Sequence, residues 1–260
     1  MVELINVLKY LSQPLVVEPT TLELFMDYLG SRVASEPRSE GTASGIRIGS
    51  VTSADGEEIG VMELSGVLTP RFNASSMCGA SNFVSTNDAI LNYLDLADKF
   101  DKILLHVDSQ GGAAIGVMEF ADAIRNSSAY VVGFTDTVAA SGGYWILSAC
   151  DEVVATPSAV VGSIGVYSAV TKKESSTMKT HYFSAGAKKL YGAKDTPLSD
   201  AEASHFQTSV DRMYEQFTSA VALNRGLPVE AIKATEAGTF AASEVVGLLV
   251  DRIVNNITEV

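Results

Sequence analysis

The sequence predicts an α/β fold with a mostly parallel sheet. Apolar strands alternate with amphipathic helices along most of the chain, and this alternation is typical of right-handed βαβ units. Continuous apolar runs such as Lys102–Val107 are typical of parallel strands, which are buried on both faces. Hydrophobic residues make up 47% of the 260 residues, so the chain can bury a full core. In such a sheet the functional loops lie at the carboxyl ends of the strands.

The first 45 residues are expected to form a helical N-terminal arm and a linker. Pro14 and Pro19 interrupt two helical stretches, and Thr20–Gly30 combines a capping threonine with a terminal glycine. Residues 36–45 are polar and rich in helix-breaking residues, as linkers are. We therefore expect an arm over residues 1–45 and one domain over residues 46–260.

The domain is predicted to open with two strands, Ile46–Val51 and Ile59–Leu64, joined by a turn at Asp55-Gly56. A long loop over residues 70–87 follows, and loops of this length are often functional. The next element is a helix over Asp88–Phe100. Its predicted apolar face consists of Ile90, Leu91, Leu94 and Ala97.

Two glycine-flanked motifs follow apolar strands in the middle of the chain. Strand Lys102–Val107 leads into Asp108-Ser-Gln-Gly-Gly112 and then a helix from about Ile115 to Arg125. Strand Tyr130–Phe134 leads into Thr137-Val-Ala-Ala-Ser-Gly-Gly143 and then an apolar helix to Ala149. Because both motifs follow parallel strands, they should meet at the same edge of the sheet.

Ser141 is the candidate nucleophile within the second motif. A serine between a strand and a helix is expected to expose its hydroxyl at the sheet edge, close to backbone N–H groups that attract negative charge. The neighbouring small residues would let a substrate backbone approach. The alternative is an ordinary N-cap serine followed by a glycine turn.

The remaining elements complete the expected α/β pattern. The long helix opens with a capping box, Ser199-Asp-Ala-Glu202, and closes at Gly226 and Pro228. Its apolar stripe consists of Phe206, Val210, Met213, Phe217 and Val221. The other predicted elements are strand Asp151–Ala155, an apolar glycine-rich segment Val160–Val166, a strand His181–Ser184, helices Val229–Thr235 and Ser243–Leu249, and strand Val250–Val254.

A serine nucleophile needs a base, and neither of the usual choices is obvious here. None of the three histidines, His106, His181 and His205, lies in the loop setting expected of a base, so a Ser-His-Asp site is the weaker interpretation. A lysine base must be neutral, and burial away from carboxylates lowers a lysine pKa. Gly186-Ala-Lys-Lys189 has no acidic residue within five positions on either side, although a solvated surface pair is the simpler interpretation.

The third requirement is a site for the oxyanion. The Gly111-Gly112 pair can present backbone N–H groups with no side chain in the way, and the Gly142 N–H would supply a second donor. The alternative for the glycine pair is a tight strand–helix turn. A phosphate cradle is disfavoured because neither Walker nor Rossmann spacing is present.

Taken in order, these motifs resemble the signal peptide peptidase A family of Ser-Lys peptidases, including its phage branch, the prohead proteases. The resemblance spans most of residues 46–255. It is carried by Asp108-Ser-Gln-Gly-Gly112, Ala139-Ala-Ser-Gly-Gly-Tyr144, Val161-Gly-Ser-Ile-Gly-Val166, Gly186-Ala-Lys-Lys189 and Thr239-Phe-Ala-Ala-Ser-Glu244. It implies a crotonase/Clp-like βαβ superfold and a Ser-Lys peptidase domain over residues 46–260.

The resemblance also implies roles for individual residues. Ser141 would be the nucleophile, Lys189 the general base and Ser163 the residue that orients the lysine, with Gly111 and Gly112 contributing to the oxyanion hole. The chain departs from the family pattern in two places. Gln110 stands where proline is usual, and Lys188 precedes the base, which leaves the choice between the two lysines open.

Composition limits the partners that we expect. A net charge of −13 disfavours nucleic acid. Two cysteines, Cys78 and Cys150, suggest neither a disulfide framework nor a metal site, and no metal or cofactor is expected. No apolar run is long enough to span a membrane, and the start does not resemble a secretory signal.

The resemblance implies protein or peptide substrates and a homo-oligomer. For the phage branch these would be capsid scaffold or assembly proteins, and possibly the protease itself, within a prohead in the host cytoplasm. The alternative in the same class is a soluble protease of the bacterial cytoplasm. Two further alternatives are a crotonase-type acyl-CoA enzyme, for which Glu119 is the best-placed acid, and a non-catalytic assembly scaffold.

Overall fold

The computed structural model describes residues 15–17, 45–53, 55–70, 83–170, 172 and 181–260. The helices expected in the arm, most of the linker and Cys78 lie outside these residues. Gly45, which we expected in the linker, is buried against the domain. Its N–H donates to the Phe83 carbonyl at 3.1 Å, and its carbonyl accepts from the Ser65 N–H at 2.7 Å.

The described chain is mixed α/β. Its strands are β1 (Leu15–Val17), β2 (Ile46–Thr52), β3 (Glu58–Ser65), β4 (Val67–Thr69), β5 (Phe83–Ser85), β6 (Lys102–Asp108), β7 (Gly111–Ala113), β8 (Tyr130–Thr135), β9 (Val138–Ala140), β10 (Glu152–Ala155), β11 (Val160–Gly162), β12 (Thr239–Ala241) and β13 (Arg252–Ile253). Its α-helices are α1 (Thr86–Ala97), α2 (Val117–Arg125), α3 (Gly142–Ser148), α4 (Asp200–Arg225) and α5 (Val229–Lys233).

Six strands form the central sheet in the order β13-β10-β8-β6-β3-β2. All neighbours in it are parallel except β2 and β3, which pair antiparallel. Two smaller sheets have the orders β1-β7-β4-β5 and β12-β11-β9. Their strands β4, β7, β9 and β11 each follow the carboxyl end of a central strand. The prediction of a mostly parallel α/β fold is therefore confirmed, and the chain turns back into small sheets where functional loops were expected.

Helix α3 lies at the centre of the core. Every one of its residues is buried, including Tyr144 and Trp145. The Trp145 ring stacks on Phe217 of α4 with centroids 4.4 Å apart, and the Tyr144 hydroxyl donates to the Leu249 carbonyl at 2.9 Å. Burying an aromatic side chain of this size stabilises a fold by about 2–3 kcal/mol. The start of α3 is consequently held from two sides.

The predicted apolar face of α1 is correct at Ile90 and Ala97, which pack against the core, and wrong at the two leucines. Leu91 and Leu94 are 61% and 47% exposed, while Ala89, Tyr93 and Leu96 are buried. Both stripes have helical spacing, so spacing alone could not decide between them. The observed stripe buries the large Tyr93 ring, which packs edge-on against Phe120 at 5.9 Å.

Two more predictions at the carboxyl side of the chain need correction. His181–Ser184 is exposed and forms no strand, because no described segment pairs with its backbone. The predicted helix Ser243–Leu249 is only a 3₁₀ turn, Ala242–Glu244, followed by Gly247 at φ +82°. The short strands β7, β9 and β12 were not predicted, because three-residue strands leave too little periodicity to detect.

The long helix is confirmed with its caps. Ser199 accepts from the Glu202 N–H at 3.2 Å, and Gly226 ends the helix at φ +64°. The predicted stripe is buried at Phe217 and Val221 and only half-buried toward the amino end of the helix. Among the described residues no helix combines the length and apolarity that crossing a membrane requires.

Candidate active site

Ser141 lies in a strained turn between β9 and α3. Its backbone has φ +53° and ψ −121°, a region that non-glycine residues rarely adopt. The turn is held by two backbone hydrogen bonds, from the Ser141 N–H to the Gly162 carbonyl at 2.8 Å and from the Trp145 N–H to the Ser141 carbonyl at 2.9 Å. Strain of this kind costs about 1–3 kcal/mol and is concentrated at functional sites.

The Ser141 hydroxyl is buried and makes no hydrogen bond. The residue is fully buried, and its Oγ has no partner within the part of the chain that the structure describes. This corrects the expectation of an exposed hydroxyl: β9 and α3 both lie within the core, so the turn between them does too. An unpaired buried hydroxyl costs about 1–3 kcal/mol, and such a group calls for a functional explanation.

The glycine pair Gly111-Gly112 forms β7, beside the nucleophile turn. A side chain at Gly112 would overlap the Leu68 backbone, so glycine alone permits this close approach. The Gly111 N–H already donates to Ser109 Oγ at 3.1 Å. The candidate donors for an oxyanion are therefore reduced to the N–H groups of Gly112 and of Gly142, the first residue of α3.

Ser109 joins β7, the strand that contains Gly111 and Gly112, to β9, the strand that leads into Ser141. Its N–H donates to the Val138 carbonyl at 2.7 Å, and its carbonyl accepts from the Ala140 N–H at 2.9 Å. Its buried hydroxyl donates to the Gly66 carbonyl at 2.6 Å while accepting from Gly111. No sequence pattern predicted a role for Ser109, although the residue lies inside the first glycine motif. Hydrogen bonds between loops leave no periodic pattern in the sequence.

Asp108 performs a related task one residue earlier. One carboxylate oxygen accepts from the Ser65 hydroxyl at 3.2 Å, and the other accepts from Thr137 Oγ1 at 2.7 Å. The carboxylate thus ties the end of β3 to the segment that enters the nucleophile turn. No sequence pattern predicted this structural role of Asp108 either.

Ser163, which belongs to the motif Val161–Val166, lies beside Ser141. Strands β9 and β11 are parallel, with Ala140 opposite Gly162, so the residues that follow them are neighbours. Ser163 has φ +54°, and its N–H donates to the Gly238 carbonyl at 2.7 Å. The structure therefore brings Ser141, Ser163 and the glycine donors together, as the resemblance implied.

The two lysines are not part of this group. Lys188 and Lys189 lie in an exposed turn, in which the Lys189 N–H donates to the Gly186 carbonyl at 3.1 Å. Neither ammonium makes a hydrogen bond or ion pair with a described residue. The structure thus shows the acyl-acceptor half of a serine site, with the expected base outside hydrogen-bonding contact.

A buried ion pair anchors the segment that follows the lysines. Lys172 Nζ lies 2.7 Å from Glu202 Oε1 and also donates to the Ala193 carbonyl at 2.9 Å. The same Glu202 oxygen accepts from the Gly192 N–H at 2.6 Å. Because the hydrogen bond from Lys172 outweighs the effect of burial, the pKa of Glu202 is lowered. The carboxylate also receives a backbone hydrogen bond from Ser199, which is the reciprocal contact of the predicted capping box.

The histidines have other partners. His106 Nε2 lies 2.8 Å from Asp136 Oδ1, and its ring contacts Phe134. His205 packs against Tyr191, and His181 is exposed. The weaker Ser-His-Asp interpretation finds no support among the described residues. The Cys150 thiol is not an alternative nucleophile, because burial raises its pKa.

Glu119, the acid considered for an acyl-CoA enzyme, is exposed near the start of α2. A cavity of about 450 Å³ with both polar and apolar lining lies beyond Ser163, where residues 166–170 face the amino-terminal half of α4. It is lined in part by Val166, Leu198, Phe206 and Val210.

These observations define a class. A strained serine at a strand–helix turn, next to a strand that begins with two glycines, is typical of hydrolases with a serine nucleophile. The sequence profile of Peptidase family S49 matches residues 123–258, just over half of the chain. The chain belongs to peptidase family S49, a family of serine proteases.

Individual relatives include plant and phage proteins. The chain is 30% identical to the chloroplastic serine protease SPPA of Arabidopsis thaliana over 152 residues, which are 54% of this chain and 22% of the relative. It is 28% identical to capsid assembly protease C of Escherichia phage lambda over 211 residues, 76% of this chain and 47% of the relative. It is also 28% identical to head-tail preconnector protein GP5 of Enterobacteria phage P21 over 210 residues, 76% and 41% respectively. The chain thus spans less than half the length of each of these relatives.

Proposed function

We propose that this chain is an endopeptidase in which Ser141 attacks the scissile carbonyl. The strained Ser141 turn with its buried, unpartnered hydroxyl is the observation that carries this proposal. Removing the hydroxyl proton and forming the Oγ–C bond gives a tetrahedral oxyanion. The N–H groups of Gly112 and Gly142 stabilise this oxyanion. Collapse of the intermediate breaks the C–N bond as the base returns the proton of Ser141 to the leaving amine, and water then hydrolyses the acyl-enzyme.

Lys189 is the proposed base. A base must come within about 2.6–3.2 Å of the proton that it removes, and such contacts often form only when substrate is bound. The turn over residues 186–192 must therefore close over the site, either in the same chain or in a second copy within a homo-oligomer. Ser163, next to Ser141, would then orient the ammonium group. Closure would also remove the Lys189 side chain from water.

The proposed substrates are capsid-assembly proteins. Both phage relatives match 76% of this chain, whereas the plant protease matches 54%. We place the chain in the phage branch for this reason, acting on scaffold or capsid proteins inside a prohead. The cavity beyond Ser163, whose lining includes Val166, Leu198 and Phe206, suggests that small or apolar side chains precede the cleaved bond. The match to family S49, which is not specific to the phage branch, supports a bacterial peptidase as the second candidate.

Intact-mass analysis tests the proposal. Wild type, Ser141→Ala and Ser148→Ala are each incubated alone, with an unfolded acceptor protein and with a co-expressed capsid scaffold. Ser148 is the matched control, because its hydroxyl is also buried but donates to the Trp145 carbonyl within α3. Fragments from wild type and Ser148→Ala but not from Ser141→Ala are expected. Fragments that persist in Ser141→Ala, or no fragments under all three conditions, would contradict the proposal.

A further inference from the structure

The outer edge of the glycine strand is occupied by a piece of the arm. Strand β1 pairs antiparallel with β7, with Leu15 opposite Ala113, Val16 opposite Gly112 and Val17 opposite Gly111. The other edge of β7 pairs with β4. One edge of β7 is therefore paired with β4, which is nearer in sequence. The other edge is covered by β1, which is about 95 residues away in sequence.

A polypeptide substrate would need this same edge. If the Gly112 N–H binds the oxyanion, the scissile carbonyl must lie alongside β7. An extended chain that adds to a strand edge gains backbone hydrogen bonds whatever its sequence and holds its carbonyls in line with the strand. The substrate chain and β1 would thus compete for the backbone groups of Gly111–Ala113.

We propose that Leu15–Val17 occupies the substrate-docking edge of its own chain, and that substrate must displace it. This inference rests on the proposed function and adds a competitor to it. The fully formed nucleophile turn is then kept from reacting until the edge is vacated.

The sequence around β1 suits an occupant that can leave. Pro14 and Pro19 flank the three residues, and proline has no N–H with which to extend a strand ladder. Among the described residues, three residues of β1 pair with β7. Since each backbone hydrogen bond contributes little net stability, so short a ladder can be displaced by a longer substrate strand.

Two substitutions at one position separate backbone pairing from side-chain effects. Val16→Pro in the full chain removes an N–H and disturbs the ladder opposite Gly112, while Val16→Ala keeps the backbone intact. We expect Val16→Pro to react with a fluorophosphonate probe at Ser141 on the order of tenfold faster than wild type, because apparent reactivity scales with the population of the vacated edge. KM for a peptide substrate should fall by a similar factor. Val16→Ala should remain close to wild type.

Hydrogen exchange gives a second readout that needs no activity. The amides of Gly111–Ala113 should exchange faster in Val16→Pro than in wild type, while those of the central sheet stay protected and show that the variant folds. Equal exchange and equal probe reactivity in all three proteins would overturn the inference. Faster exchange at β7 without probe reactivity in any protein would instead uphold the docking of β1 and overturn the serine-hydrolase function on which the competition depends.

Discussion

The two halves of the proposed dyad lie in very different surroundings. Residues 139–150, which include Ser141 and all of α3, are buried without exception. Residues 181–189, which include Lys189, are exposed without exception. The nucleophile turn is fixed by backbone hydrogen bonds to β11 and by the core, whereas the lysine turn is attached through the Lys172–Glu202 pair several residues further on.

This difference indicates where the chemistry is controlled. The core can hold Ser141 in a strained conformation because many packing contacts offset the strain. An exposed lysine keeps its ammonium hydrated and is a poor base until it is enclosed. We therefore expect the nucleophile to be permanent and the base to be assembled, so that closure of the lysine turn sets the rate.

Loss of the base should have the largest effect. Lys189→Ala is expected to lower kcat/KM by about 10²–10⁴-fold, the usual contribution of acid–base catalysis, while Lys188→Ala should lower it less than about tenfold. Cleavage of a fluorogenic peptide by the two variants, each checked for folding, measures this. The opposite ranking would assign the base to Lys188. Small effects in both variants would mean that neither lysine is the general base.

Adding one methyl group to each region should distinguish rigid from adaptable backbone. A Cβ at Gly143 would lie 2.5 Å from the Ser109 carbonyl oxygen, a backbone atom that cannot move cheaply. A Cβ at Gly186 would meet nothing within 4 Å, although φ is +94°. Gly143→Ala should therefore cost about 3 kcal/mol of unfolding free energy and Gly186→Ala about 1 kcal/mol. Urea denaturation measures both, and equal costs would contradict the contrast.

The sequence predicted the buried half of the molecule better than the exposed half. The strands around Lys102–Asp108 and Tyr130–Thr135 and the nucleophile turn carry continuous apolar runs, which is the signal that periodicity detects. The strand expected at His181–Ser184 has no such run and is absent. On α1 the pattern predicted the helix but only half of its buried face, because two stripes satisfied the same spacing.

The site shows the same division. The motif order pointed to Ser141, Ser163 and the glycine pair, and the structure places them together. The roles of Ser109 and Asp108 could not be predicted, because they depend on hydrogen bonds between loops that meet only after folding. The proposed approach of Lys189 could not be derived from the sequence for a different reason: it would require a closed or assembled state, about which local sequence carries no geometric signal.

Ser109 tests how far the rigid half is built by hydrogen bonds. Ser109→Ala removes the acceptor of the Gly111 N–H and the donor to the Gly66 carbonyl, so β7 should lose its alignment with Ser141. We expect kcat to fall by about 10–100-fold with little change in KM, since the oxyanion donors act chiefly in the transition state. Ser148→Ala, which also loses a buried hydroxyl, should retain kcat. A rise in KM alone would make Ser109 a substrate-binding residue instead.

The smallest expected effect concerns the anchor of the lysine segment. Glu202→Gln keeps an acceptor for the Gly192 N–H but removes the charge that faces Lys172, and should lower stability by about 1–2 kcal/mol near neutral pH. Because the folded-state pKa of Glu202 is lowered from 4.5, its stabilising effect is complete above that pH and is lost as pH falls through the folded-state value. The stability difference between wild type and Glu202→Gln, measured by urea denaturation, should therefore shrink below about pH 4.5. A difference that stays constant on acidification would mean that the anchor depends on packing rather than charge, and that the lysine turn is held more rigidly than its exposure indicates.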